Sequence, residues 1–184
     1  MISEIIKSRR AVFPAQYNNG PIGREEIMKI LEAANWAPTH RRTEPWRFKV
    51  IQGESQARLA EFLSRTYKEK SESFSEFKYK KYQTNPMKAA CIIAICMQRD
   101  PKESIPEWEE IAATAMAVQN MWLTAHDMKI GAYWGSPSIV KYMNDFFEME
   151  VGERCLGFLY MGKFDVELDE GIRASPIEEK TVWI

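Results

Sequence analysis

Apolar positions recur along the chain with two different periods, which predict both helices and strands. An amphipathic helix is indicated between Glu25 and Pro38, because apolar residues recur there three and four positions apart behind an acidic first turn. Its apolar positions are Ile27, Ile30, Leu31 and Ala34. A shorter helix of the same period is predicted over residues 2–10, ending in Arg9 and Arg10.

Other stretches have the patterns of strands. Phe48 and Val50 alternate with two basic residues, which predicts a half-buried strand that Gly53 ends before a helical stretch. The run Cys91–Met97 is apolar throughout and rich in isoleucine, as expected of a strand covered on both faces.

In the second half of the chain, Ile111–Ala125 consists almost wholly of apolar or small residues. This composition predicts a helix buried nearly all round, in a core or a subunit interface. Short strands are predicted at Ala132–Trp134 and Leu156–Met161, with a helix around Ser138–Phe147 between them. The tail Asp169–Ile184 has no helical period and ends in large apolar residues, for which a partner subunit offers a natural surface.

The mixed order of helices and strands favours an α+β fold over a regular doubly wound one. A chain of 184 residues without linkers, repeats or low-complexity tracts predicts a single domain over residues 1–184.

Composition narrows the classes of function. The 25 basic residues nearly balance the 26 acidic ones, so we expect no nucleic-acid or membrane partner. The longest apolar run, Ala89–Met97, is about half of what a membrane span needs, and no signal-peptide pattern is present, so a cytoplasmic protein is expected. Three cysteines without CxxC spacing and only two histidines argue against disulfides and against a metal site.

Three polar segments could carry chemistry. In the first, Arg9 and Arg10 end a helix, where two guanidiniums beside free backbone N–H groups could grip a phosphate. The alternative is a pair of solvated surface arginines.

The second segment, Ala37–Phe48, is a polar loop whose prolines restrict the backbone, and it offers hydroxyls, an imidazole and cations to a polar ligand. It could equally be a basic surface turn anchored by Trp46. The third segment, Gly131–Pro137, runs into a glycine turn that would let the backbone approach a flat ring, with Trp134 beside it. It could also be an ordinary turn with Ser136 as a helix N-cap.

In their order and spacing these segments resemble the nitroreductase family of flavoproteins, and its short members in particular. The resemblance covers nearly the whole chain, and its most specific parts are the Arg-Arg start and the Ala-Pro loop that ends in Pro-Trp. The matching stretches are Ser8–Phe13, Ala37–Phe48, Ala112–His126, Gly131–Pro137 and Gly157–Phe164.

The resemblance implies a mainly antiparallel central sheet flanked by helices, in an interlocked homodimer whose C-terminal tails are exchanged. It also implies one FMN at each end of the dimer interface, with both chains contributing to each site. By the family pattern, Arg9, Arg10 and Ala11 would hold the FMN phosphate and ribityl region from one chain, and Arg173 matches a place where the family often supplies a further cation.

From the other chain, Pro38, Thr39 and His40 would reach the flavin. Trp134, Gly135 and Ser136 would lie along the isoalloxazine ring, where a backbone N–H near the flavin N5 would assist hydride transfer.

The sequence departs from the family pattern in two places. Ala11 stands where the family usually has a serine, so only the main chain could replace that hydroxyl contact to phosphate. The loop carries His40, Arg41 and Arg42 where many members have small hydroxyl residues and an asparagine, and Glu44 replaces a common glutamine. These departures bear on the substrate and on the detailed flavin contacts.

The implied activity is NAD(P)H-dependent. NADH or NADPH would reduce the flavin, and an electron-poor nitroaromatic, quinone or enone would then take the hydride at the same place, by a ping-pong mechanism. No protein acid, nucleophile or metal is then needed for catalysis, because the cofactor does the redox chemistry. Two rival interpretations are a nucleic-acid-binding module, suggested by lysines among aromatic residues, and a protein that binds or stores flavin without turnover.

The stretch Arg65–Tyr82 interleaves aromatic residues with lysines. In the family a helical region here covers the substrate side of the flavin, so a mobile lid that includes Phe74 and Phe77 is our hypothesis. The alternative is an amphipathic helix with solvated lysines.

Overall fold

A four-stranded antiparallel sheet forms the centre of the structure, a computed structural model that describes residues 1–184. The strand order is β1-β2-β4-β3. The strands are β1 (Trp46–Ile51), β2 (Cys91–Gln98), β3 (Ile130–Gly135) and β4 (Glu153–Lys163). This arrangement confirms the predicted α+β class with a central antiparallel sheet.

Five α-helices and four short 3-10 helices surround the sheet. The α-helices are α1 (Ile2–Ser8), α2 (Arg24–Asn35), α3 (Glu54–Lys70), α4 (Glu76–Lys88) and α5 (Glu107–Asp127). The 3-10 helices are Pro14–Gln16, His40–Arg42, Ser138–Asp145 and Glu178–Lys180. The helix predicted around Ser138–Phe147 is therefore present, but as a 3-10 helix that ends at Asp145.

Strand β2 separates two hydrophobic cores. Because successive side chains of a strand point to opposite faces, Ile93 and Ile95 pack with α2 and α5, whereas Ile92 and Ala94 pack with α3 and the 3-10 helix Ser138–Asp145. All four residues are fully buried, as the continuous apolar run predicts.

Strand β1 differs from its predicted burial pattern. Val50 is 45% exposed, while Lys49 is half-buried and forms an ion pair of 2.8 Å with Glu153 of β4. The buried ends of β1 are Trp46 and Ile51. The reason is that β1 lies at the edge of the sheet, so helices cover its residues only in part.

Helix α5 buries one face in the core of its own chain, through residues such as Ala117 and Met121. Within the predicted range Ile111–Ala125, Met116 is 41% exposed, so burial of the remaining surface in a subunit interface stays a prediction. No helix of the structure combines the length and the apolar character that crossing a membrane requires.

Candidate functional site

A cavity of about 460 Å³ opens beside the end of β3. Four parts of the chain line it: the end of β3 with the turn after it, the segment that follows α1, one face of α4, and Tyr160 of β4. Its lining residues are Phe13, Pro14, Ala15, Lys78, Lys81, Tyr82, Asn85, Tyr133, Trp134, Gly135, Ser136, Pro137 and Tyr160. We call it the aromatic cavity, because rings form much of its wall.

The end of β3 and the turn after it present three of the predicted flavin residues to this cavity, namely Trp134, Gly135 and Ser136. The indole Nε1 of Trp134 is buried and has no hydrogen-bond partner. Gly157 of β4 makes room for that indole, because a Cβ on Gly157 would lie 2.5 Å from Trp134 Nε1. A side chain at position 157 would therefore displace this wall of the cavity.

Ser136 does not cap the following helix. The N-cap position of the 3-10 helix belongs to Pro137, and no side-chain hydrogen bond caps that helix. Ser136 is exposed, and its N–H makes no backbone hydrogen bond. Its hydroxyl and its N–H are thus both available to a ligand in the aromatic cavity.

Three arginines lie close together at the end of α1. The Arg9 guanidinium stacks on the ring of Trp122 of α5, 4.6 Å from the ring centroid, and its Nε is buried without a partner. Burial lowers the pKa of Arg9, and the nearby charges of Arg173 and Arg10 lower it further. No ion pair in the structure includes any of the three. Like charges at short range favour binding of an anion, even though Glu4 and Glu170 line the same surface depression as Arg10 and Arg173.

Backbone groups add to this arginine cluster, which consists of Arg9, Arg10 and Arg173. The sequence suggests free backbone N–H groups here, but the N–H of Arg9 donates a hydrogen bond to the carbonyl of Ile5, 3.0 Å away. The N–H groups of Arg10 and Ala11, by contrast, make no backbone hydrogen bond. A phosphate at this place would meet both guanidinium and main-chain donors.

The arginine cluster and the aromatic cavity adjoin but are not one cavity. Arg10 and Arg173 line a separate depression of about 380 Å³. The segment between them runs along β3, since the Val12 N–H bonds to the Ala132 carbonyl at 3.1 Å and the rings of Phe13 and Tyr133 lie 4.6 Å apart. Arg10 and Phe13 are three residues apart, at most about 11 Å of chain.

The predicted loop residues Pro38, Thr39 and His40 lie elsewhere. His40 Nδ1 is 2.6 Å from Glu109 Oε2 in the first turn of α5, whereas Ser8 Oγ, next to Arg9, is 2.8 Å from His126 Nε2 in the last turn. These two ends of the 21-residue helix are about 25 Å apart along its axis. Within one chain the structure does not bring the loop to the other predicted residues.

The loop itself has an unusual backbone. Arg41, Arg42 and Glu44 have φ of 51°, 56° and 42°, in the left-handed region that side chains other than glycine rarely adopt. Thr39 Oγ1 accepts a hydrogen bond from the Glu44 N–H at 3.2 Å, and Arg41 donates to the Ser104 carbonyl at 3.0 Å. Such strain persists where surrounding contacts hold it, often at ligand sites.

Comparison with known proteins decides the family. The sequence model of the Nitroreductase family matches residues 6–163. The chain belongs to the nitroreductase family. This membership confirms the predicted relationship and makes the chain an oxidoreductase by family.

Relatives of the nitroreductase family resemble the chain over its whole length. A Bacillus subtilis protein with the provisional name NAD(P)H nitroreductase YfhC is 28% identical over 183 residues, which are 98% of this chain and 92% of that protein. A solved nitroreductase-like family protein from Bacillus cereus is 29% identical with a TM-score of 0.82, covering 100% of this chain and 96% of the other.

A third relative was solved with a ligand. It is a protein from Desulfovibrio desulfuricans, provisionally described as a nitroreductase, whose structure is a complex with FMN. It is 21% identical, with a TM-score of 0.76, and the match covers 100% of this chain and 96% of that one. This likeness, together with the Bacillus cereus structure, confirms the nitroreductase-like fold.

One wall of the aromatic cavity lies outside the predicted cofactor-binding residues, although part of it falls in the proposed lid Arg65–Tyr82. Lys78, Lys81, Tyr82 and Asn85 recur three and four positions apart and therefore share one face of α4. The sequence shows this spacing, but it does not show which residues share a cavity with these side chains. Phe74 and Phe77 lie outside the cavity lining, although they precede this face directly.

Proposed function

We propose that the chain is an FMN-dependent oxidoreductase that works as a homodimer and passes hydride from NADH or NADPH to an electron-poor small molecule. The observation that carries this proposal is the pairing of the arginine cluster with the aromatic cavity, one at each end of the short segment beside β3. FMN has a charged phosphate and a flat ring joined by a flexible ribityl chain, so its two ends suit these two places. The FMN complex of the Desulfovibrio desulfuricans relative and the NAD(P)H in the name of the Bacillus subtilis protein support it.

Different residues of the chain would bind the phosphate and the ring of FMN. Arg9, Arg10 and Arg173, with the N–H groups of Arg10 and Ala11, would hold the phosphate. The turn Trp134–Ser136 would support the ring, because Gly135 is small and the Ser136 N–H is free to donate. Bound FMN would supply the redox chemistry, accepting hydride from the nicotinamide and delivering it to the acceptor.

The position of the loop supports the proposed homodimer. Pro38, Thr39 and His40 lie near one end of α5, whereas the arginines of their own chain lie near the other end. If they contribute to a flavin site, as family membership leads us to propose, that site belongs to a second copy. The partner subunit's Pro38, Thr39 and His40 would then complete the pocket of each chain.

Exposed apolar surface supports the same dimer. Ile2 and Ile6 of α1 are 63% and 49% exposed, and α5 adds Trp108 and Met116. The tail adds Ile172, Ile177, Val182, Trp183 and Ile184, all strongly exposed. Apolar surface on this scale marks an interaction site, and we propose that two tails exchange to cover it.

Spectroscopy and kinetics test the proposed function. The purified protein should be yellow, should contain FMN after denaturation, and should bleach when NADH or NADPH is added without oxygen. Steady-state rates against acceptor concentration should give parallel double-reciprocal lines, because both substrates use one place in turn. A yellow protein that does not bleach would be a flavin-binding protein without turnover. A colourless protein that ignores FMN would contradict the proposal altogether.

The region before the lysine face offers a second test. Phe77 is 68% exposed, and its ring lies 4.4 Å from the Lys81 Nζ, a cation–π contact that holds a cavity lysine in place. Changing Phe74 and Phe77 to alanine should alter the ratio of kcat/KM between two acceptors by about twofold to fivefold. Met87→Ala is the matched control, because Met87 is a 55% exposed residue of the same helix on another surface. Unchanged acceptor preference would leave α4 as an amphipathic helix with solvated lysines.

A further inference from the structure

The aromatic cavity has charges of one sign only. Its lining includes the two cations Lys78 and Lys81, and no aspartate or glutamate. Neither lysine takes part in an ion pair. Lys80 lies between them in sequence but outside the cavity lining, and it pairs with Glu76 at 3.7 Å on the exposed side of α4. The helix thus directs its unbalanced charge towards the cavity.

The other polar groups of the cavity do not offset this charge. Burial raises the pKa of Tyr82 and of Tyr160, so both phenols stay neutral at physiological pH. Asn85 and Ser136 are uncharged. The two ammonium groups are therefore the only formal charges that a small molecule would meet between α4 and the turn after β3.

The lysines belong to a different element of the cavity lining from the residues proposed to support the flavin ring. Lys78, Lys81 and Asn85 come from α4, whereas Trp134–Ser136 come from the end of β3. A small molecule in this cavity would thus meet both aromatic rings and ammonium groups. Both lysines are exposed, so each ammonium would attract an anionic group by a modest amount that salt screens.

From this arrangement we infer that Lys78 and Lys81 select acceptors that carry a negative charge, namely aromatic carboxylates or sulfonates that also bear a reducible nitro or quinone group. The inference rests on the proposed function, since it names the substrate class of the same site. It adds a reason for acceptor choice that lies outside the flavin contacts, in a helix face that binds no part of the FMN phosphate.

A pair of test compounds isolates the charge. 4-Nitrobenzoate and 4-nitrobenzamide have nearly the same shape, but only the first is an anion at neutral pH. The FMN-loaded enzyme should show a higher kcat/KM for the nitrobenzoate, and rising salt should reduce this advantage. In the double variant K78Q/K81Q the ratio of the two kcat/KM values should fall about threefold to tenfold. The matched control is K80Q, for which we expect the same ratio as in the unchanged protein.

Direct binding gives a readout that needs no turnover. Calorimetric titration of the FMN-loaded protein with each compound should show the same preference for the anion and its loss in K78Q/K81Q. If NAD(P)H does not bleach the bound flavin, or if no flavin binds, the proposed function fails. Titration of the flavin-loaded protein in the first case, and of the flavin-free protein in the second, still reports on the lysines. A ratio unchanged by K78Q/K81Q in both assays would overturn the inference. So would a variant that only raises the KM for NADH or NADPH, because the lysines would then serve the nicotinamide phosphates.

Discussion

Replacing Arg9 with methionine should weaken FMN binding about 10- to 100-fold, because hydrogen bonds from a charged donor to phosphate contribute about 1.5–3 kcal/mol. Methionine keeps an apolar stem against Trp122, where the guanidinium now stacks, so the fold should survive the change. The measurement is a titration of the apoprotein with FMN, in which the quenching of flavin fluorescence reports binding.

Riboflavin provides the internal comparison for Arg9, since it lacks only the phosphate. The unchanged protein should bind FMN much more tightly than riboflavin, and Arg9→Met should remove most of that difference while leaving riboflavin affinity nearly the same. Arg58→Met is the control variant, because Arg58 is an exposed arginine of α3 that donates only to Ser55. Equal weakening of FMN and riboflavin would show that Arg9 acts on the fold or on the ring rather than on the phosphate.

Two variants that each lose FMN should regain it when they are combined in one dimer. The first variant is R9M/R173M, which removes two cations of the arginine cluster. The second is P38W, which puts a bulky ring on an exposed loop residue that is proposed to reach the partner's flavin. Each homodimer carries two damaged sites. The heterodimer carries one site with both changes and one site with neither, so it should bind about half the FMN of the unchanged dimer.

The heterodimer can be isolated by co-expression with two different affinity tags, and its flavin content read from the absorbance of the released FMN. If the loop and the arginines of one chain served the same site, every site of the heterodimer would carry one change and none would bind. A P38W homodimer that keeps its FMN would separately contradict the placement of the loop. Size-exclusion chromatography with light scattering shows that each preparation is a dimer.

Several elements followed from local patterns alone. The period of Ile27, Ile30 and Ala34 predicted α2, and all three residues are buried. The apolar run of β2 predicted a strand covered on both faces, because only such a strand can bury every side chain. Local sequence is sufficient here, since a period of 3.6 or 2 residues states directly which side chains share a face.

Local patterns failed where burial depends on the neighbours. Val50 alternates correctly with polar residues, yet it is exposed because β1 is an edge strand. The composition of α5 predicted burial nearly all round, in a core or a subunit interface, and one face meets the core of its own chain. Composition states how much apolar surface a segment carries, and it cannot state whether the same chain or a second copy covers that surface.

For the site, the sequence by itself determined the family and the segments with ligand chemistry: the paired arginines, the polar loop and the glycine turn. Only the tertiary structure decided which of these segments lie close together in one chain. It placed Arg9 against Trp122 of α5, put the loop at the other end of that helix, and brought Lys78 and Lys81 into one cavity with Trp134. The physical reason is that residue type sets the chemistry a segment can perform, whereas distances between segments depend on helix length and sheet order, which act across the whole fold.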